Sequence, residues 1–223
     1  MNFYSNQLFH VYNQGNNGQI IFYNDEDYRY FLWKMRAYLL PFGDLIAYCL
    51  MPTHFHWQFW VRETAIKRSV LRSHADKIEQ IRRLKKYGPA AKPVDRTAVR
   101  KAKDDSFVTL NESIGIIEKS YTRTINEEKG WTGSLFRKAC NAKDGWVDEC
   151  ITLNIANNKP DYRFLPGTDY AYNCFCYIHD NPVEAGLVNS NFEWIYSSAK
   201  DYAGMRNGTL CNLKLGKELL GLI

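Results

Sequence analysis

The feature that most constrains this chain is a pair of strand-forming runs, DLIAYCL at 44–50 and HFHWQFWV at 54–61, separated only by Met-Pro-Thr. So short a connection between two such runs reads as a hairpin. Along the second run side chains alternate between faces: Phe55, Trp57, Phe59 and Val61 share one, and His54, His56, Gln58 and Trp60 share the other. The wholly apolar set predicts the core face. The two histidines point away from it.

The flanking sequence supplies the remaining elements. QLFHVYN at 7–13 alternates and runs into the turn residues NQGNNG, which predicts a first strand. From Asn24, NDEDYRYFLWKMRAYLL offers an N-cap residue, three acids in the first turn and apolar residues at helical spacing until Pro41 and Gly43, predicting a helix over about 25–40. LNESIGIIEKSYTRTINEE keeps Ile114, Ile117, Tyr121 and Ile125 on one face and predicts a second long helix over about 110–128. SLFRKACNAK at 134–143 predicts a fourth strand, and a short helix is expected around 146–153. DYAYNCFCYIHDN predicts a helix over about 169–180 that stops against Pro182, and a last short helix is expected near 214–222. Strand, helix, strand, strand, helix, strand builds an α+β fold, the ferredoxin-like split βαβ sandwich, whose antiparallel sheet carries two helices on one face. The histidines then belong to the other face.

A chain of 223 residues can bury its core as one domain, expected to span 1–223. Its net charge is +5, yet residues 62–104 alone hold 14 Lys or Arg against 5 Asp or Glu. All the positive excess therefore sits there, and about 62–109 is expected to be a basic insertion: a helix, SVLRSHADKIEQIRRLKKY, then the breaker-rich GPAAKPVDR. Such a piece suits phosphate contacts, or is simply a solvated charged helix. No run of about 18 uncharged apolar residues occurs, and MNFYSNQLFH lacks the basic start and apolar stretch of a secretion signal. A cytoplasmic protein is expected, with no membrane partner. The six cysteines form no C-x-x-C pair and read as reduced, structural thiols.

Histidines at i and i+2 of a strand project side by side, near enough to grip one divalent cation, which could polarise a phosphoryl oxygen. Alone, such a pair is more often structural. In the helix before Pro182, Ala171, Cys174, Phe175 and Ile178 form an apolar stripe, and Tyr170, Asn173, Tyr177 and Asn181 lie along its flank. Tyr177 and Asn181, four apart, are neighbours there. A tyrosine such as Tyr177 can serve as a covalent nucleophile, although in a chain with 15 tyrosines such a residue is more often a half-buried packing residue. His10, His74 and His179 read as structural or surface residues.

These segments together resemble a known family. MPTHFHWQFWV at 51–61 resembles the HUH motif, two histidines around a hydrophobic residue, of the single-tyrosine transposases. YIHDNPVEAGLV at 177–188, followed by FEWIYSS at 192–198, resembles the C-terminal signature of their REP-associated tyrosine transposase branch. HVYNQGNNGQIIFYNDEDYRYFL at 10–32 and SYTRTINEEKGWTGSLFRK at 120–138 are similar to that family's N-terminal segment and to the helix and strand after its HUH motif. The resemblance covers about 1–61 and 110–202, four segments in the right order.

The resemblance implies a metal-dependent single-stranded DNA endonuclease and strand transferase, acting on hairpin-containing DNA through a covalent 5′-phosphotyrosine. It implies that His54 and His56 bind the metal, that Tyr177 is the nucleophile, carried on a C-terminal helix over the second sheet face, and that Asn181 completes the metal site. In many relatives the last is glutamine, one methylene longer. Mg2+ or Mn2+ is the implied cation, because an open site with imidazole and oxygen ligands must share its coordination with phosphate. The implied partner is single-stranded or hairpin DNA, and both a monomer and a homodimer are compatible with the family. The stretch 62–109 is longer than the family's corresponding connection. Arg82, Arg83, Lys85 and Lys86 within it, and Arg137 and Lys138 on the expected fourth strand, are the candidates for DNA contact. The alternative is a domesticated, sequence-specific DNA-binding protein of the same fold without transposition activity; intact His54, His56 and Tyr177 favour the enzyme.

Overall fold

A computed structural model of the chain describes residues 1–94, 106–144, 152–153, 160–161 and 169–222. In chain order the elements are β1 (Gln7–Gln14), α1 (Asp25–Tyr38), β2 (Gly43–Met51), β3 (His54–Val61), β4 (Ala65–Lys67), α2 (Arg68–Tyr87), β5 (Phe107–Thr109) and α3 (Leu110–Lys129). They continue with β6 (Asn141–Asp144), β7 (Thr152–Leu153), β8 (Pro160–Asp161), α4 (Asp169–Glu184), α5 (Ala199–Tyr202) and α6 (Leu213–Leu220). The residues form two compact units, one of 1–23, 44–62 and 135–223, the other of 24–43 and 63–134.

The first unit is built on a four-stranded antiparallel sheet in the order β2–β3–β1–β6. This is the strand order of a split βαβ, and the fold is α+β as the alternation of elements predicts. β1 runs against β3 with His10 opposite Gln58, Tyr12 opposite His56 and Gln14 opposite His54. One sheet face is pure core: Phe9, Val11, Phe55, Trp57, Phe59 and Val61 are each 2% exposed or less. The other face carries the histidines, and α4 packs on it. The apolar stripe of α4, Ala171, Cys174, Phe175 and Ile178, is buried in one cluster with Leu8, Ile46 and Cys49, and Gln58 Nε2 donates to the Ala171 carbonyl at 2.7 Å.

The C-terminal segment closes the outer edge of β2. Leu50 N donates to Tyr196 O at 2.9 Å, Ser198 N to Tyr48 O at 3.0 Å and Asn212 N to Leu45 O at 2.8 Å, while the indole of Trp194 donates to Leu50 O at 2.9 Å. FEWIYSS thus satisfies backbone groups that an edge strand would leave open to another chain.

The second unit is helical. α1 and α3 each begin with a reciprocal capping box, Asn24 with Asp27 and Thr109 with Glu112, which satisfies the first free amides of each helix. α3 ends at Gly130, whose φ of 67° is open to glycine without the strain a Cβ brings. Ser113 Oγ donates to Tyr38 O at 2.6 Å, Phe31 meets Tyr121 edge to face at 5.1 Å, and His74 Nδ1 donates to Ala37 O at 3.0 Å. α2 is tied in by Leu71 and Ala75, both buried, and the β4–β5 pair sits at its start.

Three expectations are corrected. The strand expected over 134–143 occupies only Asn141–Asp144. Leu135 and Phe136 are both buried, which two consecutive residues of a half-exposed strand cannot be; Phe136 instead bridges Gly15 and Arg137 N donates to Gln14 O at 2.9 Å. The helix expected to stop before Pro182 runs on to Glu184. The amide that proline lacks is lost only from the last turn, and Ala185 N to Asn181 O at 3.0 Å and Leu187 N to Pro182 O at 2.9 Å close the end. Of the helix expected around 146–153, Thr152–Leu153 is a short strand paired with Pro160–Asp161, and the rest lies outside the described residues. Cys49, Cys140, Cys174, Cys176 and Cys211 are free thiols; Cys150 lies outside the described residues. Among the described residues no helix is long and apolar enough to cross a membrane.

Candidate active site

All four residues expected at the site belong to the first unit. Strand alternation on β3 puts His54 and His56 on the face that α4 covers, with ring centroids 5.1 Å apart and planes near perpendicular. Helical spacing on α4 puts Tyr177 and Asn181 one turn apart. The ring of Tyr177 stands edge-on to His56, 5.3 Å between centroids at 82°. Asn181 Oδ1 accepts from His54 Nε2 at 3.3 Å, while Asn181 Nδ2 donates to its own helix at Tyr177 O, 2.7 Å away. The helix carbonyl can only accept, so it fixes which end of the amide faces the histidine. His56 and Asn181 are buried, whereas Tyr177 is 44% exposed.

The remaining ring nitrogens are held from behind. His54 Nδ1 lies 2.9 Å from Thr53 Oγ1, a hydroxyl able to donate or accept and therefore compatible with either tautomer. His56 Nδ1 lies 2.9 Å from His10 Nε2, so one of those rings donates to the other. Burial takes His56 down to about 2, and the nearby His10 and His54 push the same way. Burial and then the Lys143 charge bring His10 down to about 4. Burial also lowers His54, against the opposing bond to Asn181. All three imidazoles are neutral at pH 7, the state that ligates a metal.

Among the described residues no group of three His, Cys, Asp or Glu is placed to hold a metal ion. The donor set here is of another kind, two neutral imidazoles and an amide oxygen. Such a set of donors can hold one divalent cation while leaving further coordination positions open. Tyr177 and His56 also border a cleft of about 430 Å³, walled further by His10, Tyr12, Lys143 and Asn173.

No protein-family model matches the chain, and no curated protein does. Among solved structures, that of a REP-associated tyrosine transposase bound to a REP hairpin is similar over 95% of this chain and 94% of that one, with a TM-score of 0.52 and 11% sequence identity. The chain has the fold of a REP-associated tyrosine transposase. On this transposase fold the basic candidates sit in both units. Arg137 and Lys138, exposed, precede β6 instead of lying on it. Arg137 O accepts from Asn13 Nδ2 at 3.2 Å, and with its amide turned to face the guanidinium, Gln14 accepts from the Arg137 side chain. Gln14 is opposite His54 in the ladder, so this cation is anchored to the neighbour of the first histidine.

Arg82, Arg83, Lys85 and Lys86 lie on α2, in the second unit. Glu79 takes Arg82 Nε at 2.8 Å and Arg83 Nε at 3.0 Å, and Lys85 Nζ sits 5.5 Å above the Trp33 ring. With Tyr30 and Trp33, Arg82, Lys85 and Lys86 line a cleft of about 530 Å³. The residue sequence reasoning missed is His10. Its alternation with Tyr12 was visible, but the signal that matters is the β1–β3 register, which no local pattern specifies.

Proposed function

We propose that this chain is a divalent-metal-dependent single-strand DNA endonuclease and strand transferase that works through a covalent phosphotyrosine at Tyr177. The observation that carries this reading is the meeting of His54 with Asn181, 127 residues apart in sequence, beside an exposed tyrosine. A purely structural histidine pair has no need of either.

The Tyr177 hydroxyl attacks the phosphorus of one phosphodiester. The bond to the 3′ oxygen breaks, that oxygen takes up the phenolic proton and leaves as a 3′-hydroxyl, and the 5′ end stays on the tyrosine. The phosphotyrosine conserves the energy of the diester, so a 3′-hydroxyl can reverse the step and join DNA without ATP. His54, His56 and the Asn181 amide oxygen would hold Mg2+ or Mn2+, which when bound supplies Lewis-acid polarisation of the phosphoryl oxygen. His10 acts through His56: by accepting at Nε2 it keeps the proton of His56 on Nδ1 and leaves Nε2 as the ligating nitrogen. The Thr53 hydroxyl, which can accept as well as donate at His54 Nδ1, would let that ring move its proton from Nε2 to Nδ1 when Nε2 turns from Asn181 to a metal.

The partner in this reading is a hairpin-bearing single strand of DNA, and the similar transposase structure is bound to a REP hairpin. Incubation with such strands from both flanks of this chain's own gene and with MnCl2 is expected to give a protein–DNA species that survives denaturing electrophoresis and disappears with EDTA. Failure of every such strand to form it overturns the reading. Arg137 and Lys138 supply charge beside the histidines, and Arg82, Arg83, Lys85 and Lys86 supply a phosphate-contacting surface on α2. Changing the last four to Ala together is expected to reduce the slope of log affinity against log salt by about 3, from roughly 0.7–0.9 per lost phosphate contact. An unchanged slope removes α2 from the DNA interface.

A further inference from the structure

The cleft beside Tyr177 has a shape and chemistry that cleavage alone does not require. Its floor is three rings from two strands. His10 and His56 have centroids 5.1 Å apart at 25°, Tyr12 and His56 5.7 Å at 26°, and His10 and Tyr12 5.0 Å at 32°. They form a nearly parallel platform. Tyr177 stands across it as a wall, at 76° to His10 and 82° to His56. Lys143 and, from α4, Asn173 and Tyr170 complete the rim. Asn173 precedes Tyr177 by four residues, so its exposed amide and the tyrosine share one helix face.

We infer that this cleft receives a single unpaired nucleobase, from the nucleotide adjoining the phosphate that Tyr177 attacks. The volume of about 430 Å³ suits one small-molecule-sized group and excludes a duplex. Planar aromatic platforms take bases by stacking whatever their sequence. The Lys143 ammonium answers the phosphate of that nucleotide, and an Asn amide is a group that discriminates among base edges, adenine above all. Because Tyr177 forms one wall, a base seated here fixes its adjoining phosphate at the tyrosine hydroxyl and so selects the bond that is cut. The inference rests on the nuclease reading and names the specificity pocket of the same site.

The test separates the two. Single strands from the gene's flanks, with 5-iododeoxyuridine placed at each position in turn, are irradiated with the Tyr177→Phe protein, and the crosslinked peptides are identified by mass spectrometry. Crosslinks to peptides containing Tyr12 or Tyr170 are expected from one position only. An abasic residue at that position is expected to weaken binding about tenfold, and Asn173→Ala to alter which base is preferred there. The abasic arm perturbs the DNA alone, so it is independent of any folding defect in a variant. Crosslinks that never reach those peptides, or an abasic scan with no position-dependent loss, overturn the pocket even if wild-type protein forms its covalent species. A base located in the cleft with no covalent species leaves the pocket standing and removes the nuclease reading.

Discussion

Tyr177→Phe is expected to abolish the covalent protein–DNA species while leaving the protein folded and still able to bind hairpin-bearing DNA. Phenylalanine keeps the ring that stands edge-on to His56 and His10 and removes only the hydroxyl. Since Tyr177 is 44% exposed, stability should change by no more than about 0.5 kcal/mol. Loss of the nucleophile itself should lower the rate of adduct formation by more than roughly 10⁴-fold. Undiminished adduct in the variant sinks the assignment of Tyr177, whereas lost binding would show that the hydroxyl had a structural task. Affinity by anisotropy and adduct by denaturing electrophoresis, on the same preparation, read the two outcomes separately.

The second large effect is on stability. Trp57→Ala removes the bulkiest fully buried side chain of β3, stacked on Phe55 at 4.3 Å, from a strand flanked on both sides by others. Large-to-small changes of this kind cost about 3–5 kcal/mol, because the lost burial is joined by a cavity that close-packed neighbours cannot fill. Against the roughly 5–15 kcal/mol that holds a typical domain together, that is a severe loss. Urea unfolding should show a lower midpoint at an unchanged slope. A cost below about 1 kcal/mol would mean that the core face of β3 is not packed as described. Trp57 and His56 are adjacent in sequence and opposite in role: one face of the strand supplies stability, the other chemistry.

What was legible in the sequence is what strand and helix periodicity encode. The faces of β3, the capped start of α1 at Asn24, and the flank of α4 that carries Tyr170, Asn173, Tyr177 and Asn181 all follow from spacing alone. The resemblance to transposases rested on short motifs, and the similar fold agrees with it at 11% identity. Legibility failed where long-range pairing overrides local pattern. SLFRKAC looks like a strand, but Phe136 is taken by Gly15, so pairing proper begins only at Asn141. Pro182 looked like a stop, yet its missing amide falls in the last turn, where the helix closes without it. His10 looked idle because its partner is 46 residues away, across a register that only the folded sheet defines.

The ligands proposed for the cation, two neutral imidazoles and an amide, have no formal charge among them, and the charged side chains noted around them, Lys143 and Arg137, are positive. A divalent ion held by these three groups would gain no counter-charge from its proposed protein ligands. The phosphate to be attacked would supply negative charge to it. Ion and nucleic acid would then be heterotropic ligands of one another, each raising the affinity for the other by the same factor. The free protein would hold its metal weakly, and the complete ionic site would exist only once the substrate had brought its own negative charge.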